Sequence, residues 1–188
     1  MRVAFAALLF VPLLAHANPA KPAPQPLTTA QQLDNLFADL AKAQSEEDAG
    51  PIETQIETLF LQSGSPTVDL LMTRTQSALK GGDTDTARKV IDSVTNLAPG
   101  FAEGWHVRAQ LQMAAGDDAG ALISLQKTVS LNPREFNALA RLADMLEDYG
   151  DKKAALETYR KVQKLDPTND DVNRAVRKLS REVEGEKI

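Results

Sequence analysis

A period of 34 residues limits what this chain can fold into more than any other feature. Gly82, Gly116 and Gly150 recur at that spacing, and so do Ala87, Ala121 and Ala155, and again Pro99, Pro133 and Pro167. Self-similarity on this scale marks an array of helical hairpins, in which each unit buries its apolar face only against its neighbours. Each glycine is followed by an aspartate: Asp83, Asp117 and Asp151. Glycine closes a helix in the left-handed conformation without a steric penalty, and aspartate caps the helix that follows. The prolines stop the second helix of each unit, because proline lacks the amide hydrogen and forces its predecessor out of the helical region. Three units are predicted: residues 68–101, 102–135 and 136–169.

The flanks differ in kind. Met1 and Arg2 open on a positive charge, an apolar stretch runs from Val3 to Leu14, and Ala15-His16-Ala17 closes it with small residues. That pattern is a secretory signal, expected to be cleaved before Asn18. The apolar stretch is too short to span a bilayer, which takes roughly 20 residues. With no cysteine in the chain, neither a lipid-modified cysteine nor a disulfide framework is available. The expected product is periplasmic and makes no stable membrane insertion after cleavage. Residues 18–28 form a Pro-rich linker that supplies no core. Residues 29–67 read as a helical hairpin. Its first helix runs from Thr29, seen as the start of a capping box, to Gln44, and its second begins at Pro51. Counting back 34 from Leu71 lands on Phe37, so this hairpin reads as a degenerate repeat lacking the marker alanine and proline. Ser65 and Pro66 then open the third helix as N-cap and first helical residue. Residues 170–184 read as a capping helix with Val172, Ala175, Val176, Leu179 and Val183 on one stripe, followed by a tail at 185–188.

With these markers in place the sequence resembles the tetratricopeptide repeat family. Large residues stand at the fourth position of the motif (Leu71, Trp105, Leu139) and small ones at the eighth (Thr75, Ala109, Ala143). The alanine at the twentieth position and the closing proline match in all three units. Ile91, Leu125 and Tyr159 fill the twenty-fourth. Good matches span 68–169, and 34–67 follows by frame alone. Arg74 and Arg108 stand where the family usually has leucine, a site arginine can occupy by burying its stem and keeping its head wet. The resemblance implies an all-α, right-handed superhelical solenoid in which Trp105 is a core residue. Ala109 and Ala121 would lie where the two helices of one hairpin cross closely.

The chemistry available is thin. Removing residues 1–17 takes away Arg2 alone among the charged residues and leaves 20 basic against 26 acidic ones. Such a balance, with no basic cluster, argues against nucleic-acid binding. Of the two histidines, His16 leaves with the leader, so a zinc site made of several His or Cys ligands, or a Ser-His-Asp relay, is not expected. Asp83-Thr84-Asp85 and Asp117-Asp118 lack the ligand series of a calcium loop and read as caps. No catalytic residue, metal or cofactor is expected.

Function is sought on the concave wall, where the first helix of each repeat presents its second, fifth, ninth and twelfth positions. In the first repeat these are Asp69, Met72, Gln76 and Leu79. In the second they are Glu103, His106, Gln110 and Met113, and in the third Asn137, Ala140, Asp144 and Glu147. Methionines that can mould to a guest, together with four carboxylates and no cation, predict a basic and partly apolar protein or peptide partner. The lysine, arginine and asparagine clamp by which some family members hold acidic chaperone tails is not carried over, because Asp69 and Glu103 oppose such a tail despite Asn137 and Arg141. The expected function is a non-catalytic adaptor that holds a segment of an envelope protein in the groove. The alternatives are a maturation chaperone for exported clients, such as one presenting apocytochromes, and a regulatory subunit or enzyme acting on wall polymers with His106 as its base.

Overall fold

The computed structural model describes residues 26–185. The leader, most of the Pro-rich linker and the last three residues lie outside the described residues. Within them the chain forms α1 (Thr29–Leu40), α2 (Glu46–Phe60), α3 (Pro66–Lys80), α4 (Thr84–Leu97), α5 (Ala102–Ala114), α6 (Asp118–Leu131), α7 (Phe136–Asp148), α8 (Lys152–Leu165) and α9 (Asp170–Glu184), with no strand among the described residues. Helices α3 to α8 pair into three hairpins that stack in chain order as an all-α solenoid, and α9 packs on α8.

The turn chemistry behaves as the sequence requires. Gly82, Gly116 and Gly150 have φ of 75°, 73° and 85°, the left-handed region where a side chain would be strained. Asp83, Asp117 and Asp151 accept the backbone N–H of Thr86, Gly120 and Ala154. The second helix of each hairpin ends at Leu97, Leu131 or Leu165, two residues before its proline.

The core follows the array as three successive clusters. One joins Val68 and Met72 to Ala87, Ile91 and Val94 and reaches Val107 and Leu111 of the next hairpin. Another joins Ala109, Ala121 and Leu125 to Ala138, Leu142 and Met145. Ala87, Ala109, Ala121, Ala143 and Ala155 are fully buried at the helix crossings, where a larger side chain has no room. Leu179, Val172 and Val176 of α9 close the last cluster, which also takes in Phe37, Leu40, Ala49 and Ile56 of the N-terminal hairpin.

Four local expectations change, the first being that α1 stops at Leu40, four residues before Gln44. The capping box is one residue earlier: Thr28 is the N-cap and Gln31 returns the bond to the Thr28 backbone. Helix α2 begins at Glu46, with Pro51 inside it, because Ser45 caps it by accepting the Asp48 N–H and Glu46, Glu47 and Asp48 place negative charge on its first turn. Trp105 belongs to none of the buried clusters. It is half-buried at the junction between hairpins, where its indole N–H donates to the Pro99 carbonyl at 3.0 Å and the Arg108 guanidinium stacks over its ring at 5.6 Å. Arg108 also reaches Asp92 at 2.8 Å and Ser124, so the residue that replaces leucine here ties two hairpins together by its polar head.

Candidate functional site

Helices α3, α5 and α7 lie side by side and present the twelve expected groove positions, and the structure divides these into two halves. Met72 and His106, at the fifth position, are buried, and Asp69, Glu103, Asn137 and Ala140 are half-buried. Gln76, Leu79 and Gln110, at the ninth and twelfth positions, are exposed, with Met113, Asp144 and Glu147 half-buried beside them. The cause is α2, which runs back along the solenoid from its C-terminal end to its N-terminal end. The Glu46 carboxylate accepts the Asp170 N–H at 3.1 Å, Glu53 faces Asp166, and Glu57 accepts from the Asn137 amide at 2.8 Å. At the far end Leu61 packs against the cluster of Val68 and Met72.

Aromatic contacts hold the hairpin down. The Phe37 ring lies 6.2 Å from Phe60 and 6.4 Å from Phe136, and the Arg134 guanidinium covers its face at 4.7 Å while bonding Asp34 at 2.6 Å. No repeat position encodes this docking. The only sequence signal was the set of apolar residues of α1 and α2, whose partners could not be named.

Beneath Glu57 lies a buried polar cluster. Glu135 is the N-cap of α7 and accepts the N–H of Asn137 and Ala138 through Oε1. His106 Nδ1 is 3.4 Å from Glu103 Oε2 and 3.9 Å from Glu135 Oε1, and its Nε2 is 3.2 Å from the Gln110 amide. Burial pulls the His106 pKa down, but the Glu103 hydrogen bond and the charges of Glu103, Glu135 and Glu57 outweigh it and leave the imidazole above its ordinary value. Burial pushes Glu135 up to about 7, aided by Glu103 and opposed by His106 and the two backbone N–H groups. These four carboxyl and imidazole groups line a recess of about 270 Å³ together with Phe60, Leu61, Gln76, Leu79 and Gln110.

A second carboxyl pair lies further along α2. Burial, then the charge and hydrogen bond of Asp166, push Glu53 up to about 7. Asp166 is 1% exposed, and its Oδ1 takes both the Thr168 N–H and hydroxyl. A protonated Glu53 donates to this carboxylate, while an ionised one repels it.

Each expected groove carboxylate already has a partner. Asp69 takes the Ser63 hydroxyl at 2.6 Å, Glu103 takes His106, Asp144 takes the Tyr159 hydroxyl at 2.5 Å, and Glu147 takes Lys178 at 2.7 Å. Around the open half, Met113, Asp118, Arg141, Asp144, Met145, Glu147, Asp148, Tyr149 and Tyr159 enclose a hollow of about 610 Å³.

The family model described as tetratricopeptide repeat matches residues 136–169. That stretch, which holds α7 and α8, is a tetratricopeptide repeat. A tetratricopeptide-repeat-containing protein of Rhizobium etli is 26% identical over 155 residues, covering 82% of this chain and 76% of its own. Among solved structures, MamA (AMB-1) superposes with a TM-score of 0.55 at 21% identity, over 84% of this chain and 83% of its own. The Yersinia enterocolitica type III secretion chaperone SycD, solved with a peptide of the translocator YopD, superposes with a TM-score of 0.56 at 16% identity, over 63% of this chain and 95% of its own. These structural likenesses are of fold. They match tetratricopeptide units to the stacked hairpins. Among the described residues no helix is long and apolar enough to cross a membrane.

Proposed function

We propose that this tetratricopeptide-repeat protein is a non-catalytic adaptor that holds a segment of an envelope protein in the open half of its groove. The observation that carries the reading is the hollow of about 610 Å³ where α5 and α7 leave the cover of α2. Its wall has an apolar part, Met113, Met145 and the Tyr149 and Tyr159 rings, and a charged part in which Asp118, Asp144, Glu147 and Asp148 outnumber Arg141. That chemistry suits a basic segment carrying one or two apolar anchors. The engagement of Asp144 and Glu147 moves the expected charge contacts toward Asp118 and Asp148, which are exposed. The peptide carried by SycD supports the use of this fold for peptide guests. The leader read from residues 1–17 supports export, and hence a periplasmic partner.

A photo-crosslinking residue at Met113 or Tyr149, activated in intact cells, should capture one preferred partner. Reversing Asp118 and Asp148 to lysine should abolish that capture while helicity and melting stay unchanged. Equal capture by the doubly reversed protein would overturn the adaptor reading. Suppressed aggregation of several unrelated exported clients, without a preferred partner, would instead favour a maturation chaperone, a reading supported by the fold shared with SycD.

A further inference from the structure

We propose that Glu103, His106 and Glu135 form a binding site for a divalent transition-metal ion on the floor of the covered half-groove, beneath Glu57 of α2. The ligand atoms of the three side chains lie within 4.8 Å of one another. Bonds of about 2.0 to 2.2 Å to nitrogen and oxygen ligands require them to close by only about 1 Å. The proposal goes beyond the adaptor reading, which concerns the open half of the groove, so either can fail without the other.

This cluster is set apart from the many acidic groups on the surface. His106 is 5% exposed and Glu135 2% exposed, and the three residues come from α5 and from the cap of α7.

The surroundings supply what a metal site needs beyond its ligands. Glu135 Oε1, 3.9 Å from His106 Nδ1, is held by two backbone N–H groups at the start of α7, which fixes this carboxylate beside the imidazole. The Gln110 amide stands 3.2 Å from His106 Nε2. That contact is made by the amide nitrogen; an ion at Nδ1 takes the place of the proton that Glu103 accepts there, and a half-turn of the Gln110 amide lets its oxygen accept the Nε2 proton of that tautomer. The recess of about 270 Å³ gives the ion an entry path and room for one or two waters. One imidazole with two carboxylates suits zinc, manganese or iron(II) better than calcium or magnesium, which favour all-oxygen sets. Such an ion ties α5 to the start of α7.

The sequence holds two histidines, His16 and His106, which makes the test compact. Zinc is titrated calorimetrically into the chelator-treated full chain and into His16→Gln, His106→Gln and Glu135→Gln variants. One zinc per chain should bind to the wild type and to His16→Gln with equal affinity, with a loss of at least about tenfold in the other two. Equal affinity in His106→Gln, or no saturable binding to the wild type, would overturn the site. Should both variants lose their helical circular dichroism, the visible spectrum of the cobalt(II)-loaded wild type decides. Intense bands of a four- or five-coordinate centre support the site, and the weak spectrum of hydrated cobalt sinks it.

Discussion

The array from Val68 to Asn169 and the hairpin from Thr29 to Phe60 are both helical, yet they hold together by different means. Within the array every helix packs on its chain neighbours, small residues let the paired helices cross closely, and each apolar cluster passes into the next. The N-terminal hairpin has neither the crossing alanine nor the closing proline, and its two helices attach to residues far along the chain. Its contacts pair Asp34 with Arg134, Glu57 with Asn137 and Glu46 with Asp170, across 80 to 124 residues. Near-neighbour packing gives stability that adds up unit by unit. A long-range attachment resting on one apolar patch and several polar contacts should be the first part to open, which the following measurements test.

The largest effect comes from truncating matched core residues on the two sides of this divide. Leu125 and Ile56 are both fully buried, so replacing either with alanine should cost about 2 to 5 kcal/mol at its site. Leu125→Ala should lower the urea midpoint of the whole array. Ile56→Ala should speed hydrogen exchange in α1 and α2 and leave α5 to α8 protected. A uniform loss of protection in both variants would show that hairpin and array form one cooperative unit.

Next in size is overpacking at a crossing. Ala121→Leu should destabilise the array by about 1 to 3 kcal/mol, read from chemical denaturation, because Ala121 has no exposed surface and sits between α5 and α6. An unchanged midpoint would remove the close crossing as the reason for the alanine.

The pH dependence of docking should be smaller. Glu53 ionises at about 7 when docked against an ordinary value of 4.5, so the docked state binds more protons than the released one between those limits. Stability then falls as pH rises from about 4.5 to about 7 and is level above. Exchange in α2 should accelerate over that window, and Glu53→Gln should flatten the profile. A profile equally steep in the variant would assign the effect to another group.

Least costly is the exposed Asp34 to Arg134 ion pair, whose ends are 67% and 37% exposed. Asp34→Asn should shift stability by less than about 1 kcal/mol, because water already solvates both charges. A larger loss would show that the ion pair also orients Arg134 over the Phe37 ring.

Legibility in the sequence tracked the range of the interaction concerned. Gly82, Gly116 and Gly150 announced their turns, and Asp83, Asp117 and Asp151 their caps, because each acts on residues at most a few positions away. Errors arose where two local signals competed. Pro51 looked like a first helical residue, yet the acidic run before it and the Ser45 cap started α2 five residues earlier. Trp105 held a core position in the repeat frame, but its ring sits at a half-buried junction, bonded to the Pro99 carbonyl and covered by Arg108. His106 was visible only as an isolated imidazole, since Glu103 is three residues away while Glu135 and Glu57 come from other helices.

The amino-acid order alone determined the helices, the turns and the stacking of neighbouring hairpins, since spacing within a 34-residue unit specifies all three. Which half of the groove lies open, and which carboxylates face His106, was decided only when α2 docked across the array. That docking depends on contacts between residues about a hundred positions apart, which no periodic pattern records and which shape and charge select only after the array has formed.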